Sequence, residues 1–170
     1  MDFTDGVWSL ADRRPWVALV VAVVATVLVG ASGAVFTSMG LASWYPQLAR
    51  PDLAPPNWVF GPVWTTLFAL MGVAVWLVWK EATGQLSDGA RFALGIFVVH
   101  FAINLAWSGV FFGLRSLLGG LIVIAVLWLL IVATIWAFAR VDRRAGVLLV
   151  PYLAWVSFAG YLNYAFWLLN

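Results

Sequence analysis

Few side chains in this sequence can do chemistry, and those that can recur at helical spacing. His100, Asn104, Trp107 and Phe111 repeat at intervals of three and four, so at 100° per residue they fall within about 60° of one direction. Tyr152, Trp155, Ala159, Asn163 and Phe166 share a face in the same way, as do Phe60, Trp64, Phe68, Met71 and Val75. These faces offer flat aromatic surface, indole N–H donors and amides. Asn104 and Asn163 admit two readings: helix-to-helix hydrogen bonds, or amides presented to a ligand. His100, the only histidine, is either a hydrogen-bonding core residue or, less favoured, an axial ligand to haem. An aromatic stripe is commonly packing, but three such stripes together point to a pocket.

The missing residue types narrow the chemistry further. No carboxylate falls inside a long apolar run, so neither a carboxylate metal cage nor an intramembrane proton relay can be built. There is no cysteine, no serine–histidine–acid order and no phosphate-binding glycine loop. Conventional acid–base catalysis has nothing to work with, and no metal site is expected. What remains suits a large, flat, mostly apolar ligand such as a tetrapyrrole or a sterol. Because indoles donate electrons readily, light-driven chemistry on a bound porphyrin is a further reading.

The elements that must position these residues are membrane helices. Of 170 residues 65% are hydrophobic and 9% charged, more apolar surface than a soluble domain of this size could hide. Apolar runs at about 16–38, 60–79, 92–114, 117–139 and 146–169 are each near the ~20 residues that cross a bilayer as a helix. The first is too long for a signal-peptide core and four more follow, so it reads as a mature helix. The expected fold is an all-α membrane protein, a five-transmembrane-helix bundle forming one domain over 1–170. Lys and Arg divide seven (Arg13, Arg14, Lys80, Arg91, Arg140, Arg143, Arg144) against two (Arg50, Arg115) between the two sides. In a bacterial cell membrane that bias predicts a cytoplasmic N-terminus and an external C-terminus. The net charge of +2 rests on few residues and is no nucleic-acid footprint.

Two further stretches stand out. Trp44 to Trp64 holds five of the seven prolines: Pro46, Pro51, Pro55, Pro56 and Pro62. Its part at 41–58 reads as a stiffened lid over a site among the helices, with Arg50 and Asp52 as a local ion pair on its outer face. Phe60 to Trp64 reads as the start of the second helix, with Pro62 in its first turn and Trp64 in the pocket wall beside Trp155 and Asn104. On the third run, Gly95, Val99, Ala102, Ala106, Gly109 and Gly113 face away from Asn104. Such small strips allow close helix contact, in a homodimer or within the monomer.

The chain resembles the TspO/MBR family, the tryptophan-rich sensory proteins related to the mitochondrial translocator protein. The resemblance is carried by Trp44-Tyr45, Leu48-x-Arg50-Pro51, Pro55-Pro56-x-Trp58 and Pro62-Val63-Trp64-Thr65 in the first loop and second run. It continues in Asn104-x-x-Trp107-Ser108, Phe111-Phe112-Gly113, Pro151-Tyr152-x-x-Trp155, Leu162-Asn163 and Leu169-Asn170. It implies a usually dimeric five-helix bundle with a pocket under the first loop. It implies binding of porphyrin or haem, with no obligatory cofactor; animal members also bind cholesterol and benzodiazepine-type drugs. Some bacterial members are reported to degrade protoporphyrin IX in light, and the tryptophans implicated match Trp64 and Trp155. Ligand-contact positions match Tyr45, Pro55, Pro56, Phe68, Asn104, Trp107 and Ala159. The function so implied is tetrapyrrole binding in porphyrin transport, sensing or stress regulation. The alternatives are a light-dependent porphyrin-degrading enzyme and a ligand-gated regulator without turnover. Two departures are visible: no Lys or Arg follows Tyr152, Tyr161 or Tyr164, so the sterol motif of animal members is incomplete, and His100 stands where relatives commonly carry glutamine.

Overall fold

The structure, a computed structural model, describes residues 14–81 and 87–170. Its helices are α1 (Pro15–Ala31), α2 (Ala34–Leu41), α3 (Phe60–Lys80), α4 (Asp88–Ser108), α5 (Leu117–Val141), α6 (Arg143–Leu148) and α7 (Val150–Leu169). Five stretches are long and apolar enough to cross a membrane: Pro15–Leu41, Asn57–Lys80, Asp88–Gly113, Leu117–Val141 and Arg143–Leu169. The expected all-α five-span bundle is what forms. Arg13 and most of the second loop lie outside the described residues.

The helix ends follow caps rather than charges. α4 begins at Asp88, ahead of the expected 92, because the Ser87 side chain accepts the Ala90 N–H at 3.2 Å; Arg91 is simply a helical residue. Arg140, Arg143 and Arg144, which lie between the fourth and fifth apolar runs, are all helical, and only Asp142 separates α5 from α6. Its carboxylate caps α6 by accepting the Arg144 N–H at 2.8 Å, and it pairs with the Arg144 guanidinium at 2.9 Å. These bonds to Arg144 hold the Asp142 carboxyl below its ordinary range. The break between α6 and α7 precedes Pro151, which has no N–H to continue the ladder.

Two spans are irregular where the sequence reads as plain helix. Between α1 and α2 the bonds tighten to the i→i+3 pattern: Gly33 N–H to Gly30 O (3.2 Å), Val35 to Ser32 (3.2 Å), Phe36 to Gly33 (3.1 Å). The Ser32 hydroxyl folds back onto Val29 O at 2.6 Å and competes with the ladder there. At the end of the third span, Gly109–Gly113 is a π turn, and Leu114 N–H reaches Gly109 O at 2.9 Å. Arg115 then adopts a left-handed backbone (φ 54°), and Ser116 caps α5 by accepting the Gly119 N–H at 3.1 Å.

The spans close into a ring. α1 packs on α3, α3 on α6, α7 on α5, α5 on α4, and α2 on the π turn. Small residues permit the closest approaches: a Cβ on Gly72 would lie 2.5 Å from Val23 Cα, and one on Gly146 2.8 Å from Ala139 Cβ. One half of the ring is filled by a core that includes Met71, Val78, Phe97, Ile131, Phe138 and Leu149. Over the other half sits a small aromatic cluster of Tyr45, Phe111, Phe112 and Phe166, and a cavity opens beside and beneath it.

Candidate functional site

The cavity has a volume of about 370 Å³, within the ordinary range of small-molecule sites. α3 contributes Phe60, Trp64 and Phe68 to its wall, the third span Asn104, Trp107, Phe111 and Phe112, and α7 Trp155, Ala159, Leu162, Asn163 and Phe166. The three aromatic faces read from spacing therefore meet in one place. Met71 does not take part; it is fully buried in the core half. The π turn explains why Phe111 and Phe112 both point inward, their ring centroids 4.8 Å apart.

Both asparagines serve as glue and as lining. Asn163 Nδ2 donates to Leu117 O at 2.8 Å, and its Oδ1 accepts the Trp107 indole N–H at 3.2 Å. Gly120 makes room for that amide, since a Cβ there would stand 2.8 Å from Asn163 Oδ1. Asn104 Nδ2 donates to the Tyr152 hydroxyl at 2.9 Å, and the other end of its amide makes no hydrogen bond with a described residue. Tyr152 itself is sealed behind Asn104 in the core and does not line the cavity.

Trp64 and Trp155 both line the cavity but are not stacked on each other. Trp64 stacks on Phe68 (5.3 Å, 27°) and meets Tyr152 edge-on (6.2 Å). Trp155 contacts Phe60 at 5.8 Å and Phe158 at 5.7 Å. Trp155 Nε1 is buried and meets no acceptor. That is an unusual state for an indole donor, because a buried unpaired N–H costs about 1–3 kcal/mol.

The lid is shaped by two single 3-10 turns, Tyr45–Gln47 and Asn57–Val59. Tyr45 is buried between Phe112 (5.8 Å) and Phe166 (5.3 Å) and reaches the cavity; burial raises its phenol pKa, and nearby Arg50 opposes the rise. Asn170 binds the lid by its carboxamide: Oδ1 accepts the Ala49 N–H at 2.8 Å, and Nδ2 donates to Ala49 O at 3.2 Å. The expected Arg50–Asp52 ion pair does not form. Arg50 Nη2 donates to Pro55 O at 3.1 Å and its guanidinium lies 5.7 Å from the Tyr45 ring, while the one salt bridge among the described residues is Arg144–Asp142. Pro55 and Pro56 shape the loop without lining the cavity; of this segment it is Asn57 that does.

His100 is fully buried outside the cavity. Thr134 Oγ1 donates to Leu130 O at 2.7 Å, so at 3.0 Å from Nδ1 it can only accept, and Nδ1 carries the proton. Phe97 (4.9 Å) and Tyr152 (5.7 Å) flank the ring. An axial bond to a ring held in the cavity is out of reach from this position.

The largest omission of the sequence reading is the first span, which supplies Val27, Gly30, Ala31, Gly33, Ala34 and Thr37 to the wall. Only its run of small residues hints at this. Gly30 is needed for close approach, since a Cβ there would lie 2.5 Å from the Phe68 ring. The face of Gly95, Val99, Ala102, Ala106 and Gly113 is exposed on the outside of the bundle; Gly109 is half-buried, with Phe36 the nearest atoms to a Cβ there (3.9 Å). Being in the π turn, Gly109 and Gly113 do not continue the α-helical strip.

A bundle of five membrane-spanning helices, four of which line an aromatic cavity beneath a proline-rich loop, defines an integral membrane protein. The chain belongs to the TspO/MBR family, whose profile matches residues 13–168. It is 45% identical over 142 residues to the tryptophan-rich protein TspO of Chlorobaculum tepidum, covering 84% of this chain and 89% of that one. It is 39% identical over 147 residues to protein CrtK of Rhodobacter capsulatus (86% and 89%). Against the human translocator protein it is 41% identical over 124 residues, 73% of each chain.

Proposed function

We propose that this protein binds a tetrapyrrole, protoporphyrin IX or haem, in the cavity beneath the lid, and acts in porphyrin transport, sensing or stress regulation. The observation that carries this reading is the half-buried Trp155 indole in the wall, whose Nε1–H is buried and unpaired. An acceptor on a bound molecule would complete it once the indole turns its N–H into the cavity, and the flat rings of Trp64, Trp107, Phe68 and Phe111 suit a planar apolar partner. Haem would be held by these faces, without an axial bond from His100. Titration with protoporphyrin IX, followed by tryptophan quenching, tests the site. Wild type should saturate, and a Trp64→Phe, Trp155→Phe double variant should bind more weakly; equal affinity would remove this cavity as the site.

Two indoles in one wall also favour a second reading, light-dependent oxidation of the bound porphyrin with Trp64 and Trp155 as electron donors. Under illumination in air, wild type should bleach the Soret band faster than the double variant does. The lid would face outward, since Arg14, Lys80, Arg91, Arg140, Arg143 and Arg144 gather at the opposite end. The exposed face of Gly95, Ala102 and Ala106 is the surface for a homodimer, and crosslinking of an Ala102→Leu, Ala106→Leu variant reads it.

A further inference from the structure

We propose that the ligand reaches the cavity sideways from the bilayer, between α2 and the first turns of α3, and not past the lid. The inference rests on the reading of the cavity as a site for an apolar ring compound. Five cavity-lining residues are also exposed: Ala31 and Ala34 on the first span, Asn57 in the turn that leads into α3, and Gly61 and Thr65 on α3 itself. They mark an opening toward lipid, and the chain makes it in a specific way. α1 is seated tightly on α3 through Gly72 against Val23 and Gly30 against Phe68. Past Gly30 the first span tightens and breaks, and α2 packs instead on the π turn, with Gly40 against the Phe112 backbone. The two spans therefore touch along one half and part along the other.

The edges of the gap are small and apolar. A Cβ on Gly61 would meet nothing within 4 Å. The nearby hydroxyls are spent inside their own helices, Thr65 on Gly61 O (2.9 Å) and Thr37 on Gly33 O (3.3 Å), so neither needs a further partner in the passage. Thr65 lies about 8 Å along α3 from its first residue, at a rise of 1.5 Å per residue. At that depth an amphiphilic ring can partition with its acid groups among lipid headgroups. The lid, by contrast, is held at Ala49 by the two hydrogen bonds it exchanges with the Asn170 carboxamide, and at Tyr45 by Phe112 and Phe166. The side route is already open, whereas the lid route requires these contacts to break.

The test uses the full chain in phosphatidylcholine vesicles, with protoporphyrin IX as probe and stopped-flow tryptophan quenching as readout. Gly61→Ala, Gly61→Leu and Gly61→Phe should slow association and release progressively, by roughly tenfold or more for Phe, as expected for an obstructed approach. Ala34→Leu, on the opposite edge, should slow both as well, and supplies the result should Gly61→Phe fail to fold. Asn170→Ala should leave both rates at the wild-type value. Rates insensitive to Gly61 and Ala34, or accelerated by Asn170→Ala, would overturn the side route and place access at the lid. Absence of saturable quenching by wild type would instead remove the ligand reading on which the route depends.

Discussion

Trp155→Phe separates what the indole does in the empty protein from what it does for a ligand. The substitution keeps an aromatic ring near Phe60 and Phe158 and deletes the unpaired Nε1–H. In the empty protein two effects oppose each other. Removing a buried donor without an acceptor relieves about 1–3 kcal/mol. Losing the larger ring forfeits a comparable amount of packing, at about 0.8 kcal/mol per buried CH₂-sized group. Stability without ligand should therefore move by no more than about 1–2 kcal/mol in either direction. Binding has no such offset. If a ligand acceptor takes the N–H, its loss costs about 1–1.5 kcal/mol, or a five- to tenfold weaker Kd. Quenching titrations of wild type, Trp155→Phe and Trp64→Phe, alongside thermal unfolding in detergent, measure both quantities. A Trp155→Phe protein that binds protoporphyrin IX within twofold of wild type would refute the view that the ligand completes this donor.

Three further outcomes test the frame around the cavity. Asn163→Leu breaks the bonds to Leu117 O and Trp107 Nε1, and at about 0.6–1.7 kcal/mol per interhelical bond in a membrane protein it should cost roughly 1–3 kcal/mol in reversible unfolding from micelles. Gly72→Ala pushes a methyl into the Val23 backbone and should destabilise by about 1–3 kcal/mol, whereas Gly61→Ala, which faces open space, should not lower the unfolding midpoint. Asp142→Ala removes the α6 cap and should cost about 1 kcal/mol at neutral pH. Because the Asp142 carboxyl is held below its ordinary range, its contribution is present above the unfolded carboxyl pKa of about 3.9. It is lost as pH falls through the lowered folded value, so the gap between wild type and variant should close in acid.

The sequence conveyed the parts of this protein that depend on periodicity. Asn104, Trp107, Trp155 and Asn163 recur at helical intervals, and a polar group in hydrocarbon must face a partner, so their convergence could be read in advance. Features set by one span against another could not. Ser32 and Gly33 look like ordinary helical residues, and only the separate seating of α1 on α3 and α2 on the π turn gives their break a purpose. For the same reason the first span's place in the cavity wall stayed hidden. His100 has the spacing of a cavity residue, and Thr134, 34 positions away, holds it in the core instead. Arg50 has an acid two residues on, but the Pro55 carbonyl and the Tyr45 ring engage it first.

The π turn at Gly109–Gly113 carries one residue more than an α-helical turn would need, and that surplus sets a phase. An α-helix advances 100° per residue, so deleting one residue from the turn would rotate everything after it by about that angle. Only Leu114, Arg115 and Ser116 separate the turn from α5, too few to absorb the change. α5 begins in close contact with what precedes it, Gly119 against Val110 and Gly120 against Phe111 and the Asn163 amide. The angle at which the chain leaves the third span thus determines which neighbour the fourth span meets. Length in this stretch should be far less free to vary than side-chain identity, and a one-residue deletion there would misdirect half the bundle.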